Sequence, residues 1–301
     1  NDGQVLTSAG AGAPPAFETP ASGVTFKEGG ANFTNSLLVG TDGTGTLSSA
    51  LCNTGVGTGV FAALTSGDNN TAVGNLALCA NTTGFQNVAV GSLALITNST
   101  GQENTAVGYK AGICTTTGCG ITAIGMCALH CHTTGGDNNA IGMCSQFSTT
   151  TGAGNNSMGH KSMENHTTGH SNVAIGEQSL RMNTTGHCNT AVGSESLCAN
   201  TTASNNTAVG RQSLKANTTG AYNVAVGHCS LKANTTANSN VAIGTESLDV
   251  NTTGADNTAV GTNALGANTT ASNNVAIGSS ALVKTEDGGS NTAIGYNAGC
   301  N

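Results

Sequence analysis

Tryptophan is absent from this 301-residue sequence, aromatic residues make up 3% of it and charged residues 8%. Ordinary globular proteins carry about 25% charged residues, and aromatic rings dominate the burial of their cores. So few rings leave little from which to build a large, irregular core of the kind enzymes use. The hydrophobic share of 37% with so little charge also excludes a chain held open by self-repulsion. No apolar run approaches the roughly 20 residues of a membrane span. Eight basic residues against fifteen acidic ones give a net charge of −7, and none of the Lys or Arg residues forms the basic stripe that phosphate backbones demand. The first residue is Asn1, with neither Met nor a signal peptide ahead of it, which reads as a processed chain or a fragment. Motifs of catalysis are missing too: there is no G-x-S-x-G, no P-loop and no H-E-x-x-H. The acids Asp42, Glu103, Glu164, Glu177, Glu195, Glu246 and Asp256 fall mostly in variable slots. Neither an enzyme nor a cofactor is expected.

What is present is repetition. Gly74, Gly91, Gly108, Gly125, Gly142, Gly159, Gly176, Gly193, Gly210, Gly227, Gly244, Gly261, Gly278 and Gly295 follow one another at a spacing of 17 residues without a slip, and Gly57 and Gly40 extend the series backwards. The unit reads N-[TV]-A-[VI]-G-x-x-[AS]-L-x-x-N-T-T-[GA]-x-x, as in NTAVGNLALCANTTGFQ from Asn70. Its Gly, Asn and β-branched residues are poor helix formers, and a two-helix repeat needs about 34 residues. The tripeptides T-A-V and V-A-I read as strands. A second short strand is expected at A-L or S-L, and N-T-T-G reads as a turn in which Gly or Asn takes positive φ.

Two strands and two turns per unit describe one coil of a parallel β-solenoid, an all-β fold, over residues 40–301, with residues 1–39 as a linker, docking or capping segment. Strict spacing implies in-register stacking, because one inserted residue would reverse every later side chain on a face. Asn81, Asn98, Asn183, Asn200, Asn217, Asn234, Asn251 and Asn268 of the N-T-T turns would then form an amide ladder. In N-V-A-I-G the Val and Ile point one way and the Ala the other. The Val and Ile are expected to fill the coil, leaving the Ala face to meet another copy of the chain. The same N-T-T triplets match the N-glycosylation sequon.

The segments NVAIG, NTAVG and NVAVG resemble the head repeats of trimeric autotransporter adhesins, a β-roll built from three chains. The longer string G-x-x-A-L-x-x-N-T-T-G, over about residues 53–301, is similar to repeats of phage and large-virus tail fibres. The resemblance implies a homotrimeric fibre or adhesin that is extracellular, on a cell surface or on a virion, with a host-surface or glycan receptor as partner.

Eleven cysteines are unusual for such a repeat. Cys127 and Cys144 share the second slot after the anchor glycine in adjacent units, and Cys114 and Cys131 share the sixth. Stacking about 4.8 Å apart puts each pair inside the disulfide window, so these four are the disulfide candidates, with buried small hydrophobes as the alternative. Cys52 and Cys300 are candidates for links between subunits. The cluster MCALHCH places Cys127, His130, Cys131 and His132 within six residues, a weak metal or haem motif because neighbouring strand residues face opposite ways. His170 and His187 share a phase and are expected to stack.

The expected function is a rigid structural shaft. Two alternatives stand beside it. A ligand-binding adhesin would use the variable slots that hold Tyr109, Lys110, Arg211, Gln212, Tyr222 and Tyr296, and an ice-binding solenoid would use the stacked Thr pairs, although adjacent threonines face opposite ways. Head-to-tail filaments are also expected, with Gln4–Ser8 or Val24–Lys27 completing a neighbour's open edge by strand addition.

Overall fold

The computed structural model describes the backbone of residues 5–7, 16–18 and 25–28, and the whole of residues 33–40, 46–286 and 288–300. Asp42 and most of the segment 1–39 lie outside the described residues. The chain forms two compact units, Asn1–Cys127 and Ala128–Asn301. Both are all-β, and no helix occurs among the described residues.

In the first unit β1 (Val5–Thr7) and β2 (Ala16–Glu18) pair antiparallel with each other. Strand β3 (Thr25–Glu28) pairs antiparallel with β4 (Leu37–Gly40). The segments expected to reach a neighbouring chain are thus engaged within their own. From β4 onward the pairing is parallel, through β5 (Thr54–Val56), β6 (Thr71–Val73), β7 (Val88–Val90), β8 (Thr105–Val107) and β9 (Thr122–Ile124). The second unit repeats this arrangement ten times. Its strands are β10 (Asn139–Ile141), β11 (Asn156–Met158), β12 (Val173–Ile175), β13 (Thr190–Val192), β14 (Thr207–Val209), β15 (Val224–Val226), β16 (Val241–Ile243), β17 (Thr258–Val260), β18 (Val275–Ile277) and β19 (Thr292–Ile294). Each is parallel to the next in strict 17-residue register, Ala208 over Ala191 and Ala225 over Ala208. This is a β-solenoid, one strand to each anchor glycine.

The second strand of the unit is absent. The A-L and S-L segments form turns, because the second and fourth residues after each anchor take left-handed backbone, as at Gln212 (φ 59) and Leu214 (φ 50). Such a conformation costs a leucine of order 1 kcal/mol or more. Hydrogen bonds between coils offset it: Leu214 N donates to Ser230 O at 3.0 Å and Gln212 N to Ser194 O at 3.0 Å. The turn glycine of N-T-T-G does not use positive φ, which is why Ala203, Ala237 and Ala271 occupy the same slot, almost wholly buried. Positive φ falls instead two residues later, at Asn205, Tyr222 and Ser239.

The inside and outside of the strand are also the reverse of the expectation. Ala174, Ala191, Ala208, Ala225, Ala242 and Ala259 are fully buried and pack with Leu180, Leu197, Leu214, Leu231 and Leu248 into one core column. The coil is too thin to hold a leucine and a second branched side chain facing it, so the strand contributes its smallest residue inward. Val and Ile go outside.

Candidate functional site

Outward-pointing Val and Ile make the most conspicuous surface. In the second unit Ile175 is 43% exposed and Ile243 40%, with Ile141, Val192, Val209, Val226 and Val260 half-buried in the same column. Two residues earlier on the same face stand Val173, Thr190, Thr207, Val224, Val241, Thr258 and Val275, all half-buried. The first unit carries the same column as Val56, Val73, Val90, Val107 and Ile124. Neither of these two columns contains a charged residue. The first column is apolar throughout, while in the second valines are interspersed with threonines and, at Asn139 and Asn156, asparagines. A continuous apolar column of this length is uncommon on a protein that stays alone in water.

A second feature lies on the second unit, at the fifth and sixth residues after the anchor. Ala199, Ala216 and Ala233 form the floor of a groove of about 500 Å³, walled by Cys198, Lys215, Lys232 and Asp249 and closed at one end by Val250. Lys215 Nζ lies 2.9 Å from Glu195 Oε2 and Gln212 donates to the same oxygen at 2.7 Å, which together hold the Glu195 carboxyl below its ordinary range. Arg181 pairs with Glu164 at 3.4 Å. Burial, reinforced by Glu246, pushes the Asp249 carboxyl up. Burial also raises the Cys198 thiol, against the pull of Arg181. The four ion pairs among the described residues do not include Lys232, which is exposed on the groove wall.

The expected amide ladder is present. Asn200, Asn217, Asn234, Asn251 and Asn268 each donate Nδ2 to the Oδ1 of the asparagine one coil earlier, at 2.8–3.3 Å, from Asn183 upward, and Asn98 does so to Asn81. All eight are fully buried, so the acceptor nitrogen of each of these N-T-T sequons is closed to a glycosyltransferase in the folded chain. A second ladder had no counterpart in the sequence reading. The asparagine that precedes most of the coil strands, for example Asn189, Asn206 and Asn223, is also fully buried, and its Oδ1 accepts the backbone N–H of the next. The sequence does carry a signal for it, since this Asn recurs more regularly than that of N-T-T.

All eleven cysteines are free thiols. Cys114 and Cys127 belong to the first unit, Cys131 and Cys144 to the second, and neither expected pair is bonded. Cys52 is exposed, whereas Cys300 turns inward, its Sγ donating to Ser280 O. The four residues of the MCALHCH cluster do not converge on one point, although Cys131 Sγ lies 3.6 Å from His130 Nδ1. His132 is fully buried beside Asn138, while His130 stacks on Phe147 with centroids 4.5 Å apart. No group of three His, Cys, Asp or Glu among the described residues is arranged to hold a metal ion. His170 and His187 do stack, at 4.8 Å. The two threonines of each turn part company. Thr201 Oγ1 donates to Thr218 O at 3.2 Å while Thr202 is exposed, which leaves one of the two threonines of the turn facing solvent.

No protein-family model matches the chain, and no curated protein sequence matches it either.

Proposed function

We propose that this protein is a non-enzymatic structural fibre subunit, extracellular or on a virion, whose solenoid coils act as a stiff spacer and join copies of the chain side by side. The uncharged aliphatic face supports this reading most directly. Ten strands about 4.8 Å apart carry that face about 43 Å along the second unit. Its two columns lie about 7 Å apart, so reaching the ~800 Å² per partner that stable interfaces bury also takes in the slots that flank the strand. The resemblance to trimeric adhesin heads supplies the number three. Stiffness follows from hydrogen bonds that link coil to coil through strands and turns alike.

Light scattering on the purified chain tests the reading. A mass near three times 29.3 kDa is expected. Substituting Ile175→Lys, Ile243→Lys and Ile277→Lys together should lower the mass threefold without changing the β-rich circular dichroism. A monomer from the unsubstituted chain sinks the proposal, and so does a trimer that ignores all three lysines.

The groove favours a second reading, an adhesin that binds an acidic glycan with its carboxylate at Lys232 and its apolar sugar face on the alanines. On a glycan array, binding to acidic sugars should be lost in Lys232→Gln. Equal binding by both proteins, or none by either, removes this reading.

A further inference from the structure

We propose that the segment from His132 to His166 is an acid-operated break in the second unit: neutral imidazoles close the buried polar column there, and their protonation opens these coils while the asparagine-laddered coils after them stay shut. The slot that holds Asn183, Asn200, Asn217, Asn234, Asn251 and Asn268 is filled earlier in the same unit by His132, Thr149 and His166, all fully buried.

Hydrogen bonds fix the protonation state. Asn138 donates Nδ2 to Gly152 O at 2.6 Å, and its Oδ1 accepts from Asn155 N at 3.0 Å, so the atom 3.4 Å from His132 Nε2 is a donor. At His166 Asn172 Nδ2, 3.5 Å from Nε2, already donates both hydrogens, to Asn155 Oδ1 at 3.0 Å and Gly186 O at 2.9 Å, and Thr149 Oγ1 stands 3.2 Å from Nδ1. A proton added at Nε2 would face a donor N–H at His132 and an amide nitrogen with no lone pair to offer at His166. The His166 ring is packed against glycine backbone, filling the space that a Cβ on Gly152 or Gly169 would take.

Burial alone lowers His166 to about 4, and at His132 burial outweighs a bond to the Gly135 backbone to reach the same value. Burial is the largest cause at both rings. The other titratable residues of these coils, His130, Cys131, Asp137, Cys144, His160, Lys161, Glu164 and His170, are half-buried or exposed. The core beside the histidines is weakened as well. Gln146 takes the slot of the core leucine and buries an Oε1 without a hydrogen-bond partner, and Ser157 replaces the core alanine.

Because the folded value of about 4 lies below the ordinary 6.5, the neutral form favours the closed coils. That contribution is complete above pH 6.5, is lost as the pH falls from 6.5 to 4, and is constant below. At pH 4 opening is favoured on the order of 100-fold per histidine relative to neutral pH.

Hydrogen exchange on the full chain, corrected for intrinsic rates, tests this between pH 7.5 and 4. Protection should fall across residues 132–172 and hold across 200–268. The double substitution His132→Asn with His166→Asn extends the asparagine column and should remove the acid effect. A second pair, His132→Thr with His166→Thr, copies Thr149 in the same slot should the asparagine variant fail to fold. Uniform loss of protection along the chain, or an acid response unchanged in whichever pair folds, overturns the proposal.

Discussion

Gly210→Ala is expected to destabilise the second unit by about 2–6 kcal/mol, although it adds one methyl group. Gly210 has φ +132, and a Cβ there would lie 2.4 Å from Gly227 O and 2.7 Å from its carbonyl carbon. Backbone in that region costs an alanine about 1–3 kcal/mol, and overpacking against a fixed carbonyl adds about 1–3 kcal/mol more. The carbonyl cannot retreat, because Gly227 N is itself tied to Val209 O at 2.8 Å. Gly220→Ala is the control. Its Cβ also points at a carbonyl, Ala237 O at 2.2 Å, yet Ala203, Ala237 and Ala271 already fill that slot in neighbouring coils. A cost below about 1 kcal/mol is expected there. Since coils couple mainly to their neighbours, exchange protection read coil by coil is a better measure than one melting temperature. Equal costs for the two substitutions would show that the anchor glycines are not required by conformation.

The contrast between these glycines marks the limit of what was legible in advance. Spacing alone gave the parallel solenoid, its register and the asparagine column of N-T-T, because one inserted residue would have disturbed each of them. Alternation in V-A-I gave two opposite faces but could not say which was inside. That depends on the width of the coil, which the inward-packed Leu214 and Leu231 set. The second strand was misread because leucine at φ near +50 is rarely affordable, and the coil-to-coil bonds that support it do not show in a linear sequence. The polar interruption at Gln146, Ser157 and the two buried histidines was visible as departures from the repeat. His132 was instead grouped with its sequence neighbours as a metal candidate, since only the phase, and not the motif, tells that it stands in an asparagine slot.

The strand-preceding asparagines carry the other large effect, and Asn206→Asp should expose it. Asn206 is fully buried and uses its whole amide. Nδ2 donates to Asn189 Oδ1 at 3.3 Å and to Gly220 O at 2.9 Å, while Oδ1 accepts from Asn223 N at 2.9 Å and Asn223 Nδ2 at 3.2 Å. Aspartate matches the shape but turns the donor into an oxygen that faces two acceptors. Two unsatisfied acceptors cost about 1–3 kcal/mol each, and an uncompensated buried charge brings the total to at least about 4 kcal/mol at neutral pH. Burial would raise the new carboxyl above the ordinary aspartate range, so the folded state would hold it protonated. The penalty is then largest above that raised value and shrinks on acidification, when a carboxylic O–H restores one of the two lost donors. Measuring this in the His132→Asn, His166→Asn background separates it from the acid response of the earlier coils. Exchange protection around residues 189–223 should drop sharply at pH 7.5 and recover in part near pH 5. Protection equal to that of the parent at pH 7.5 would mean that the amide column contributes shape and not hydrogen bonds.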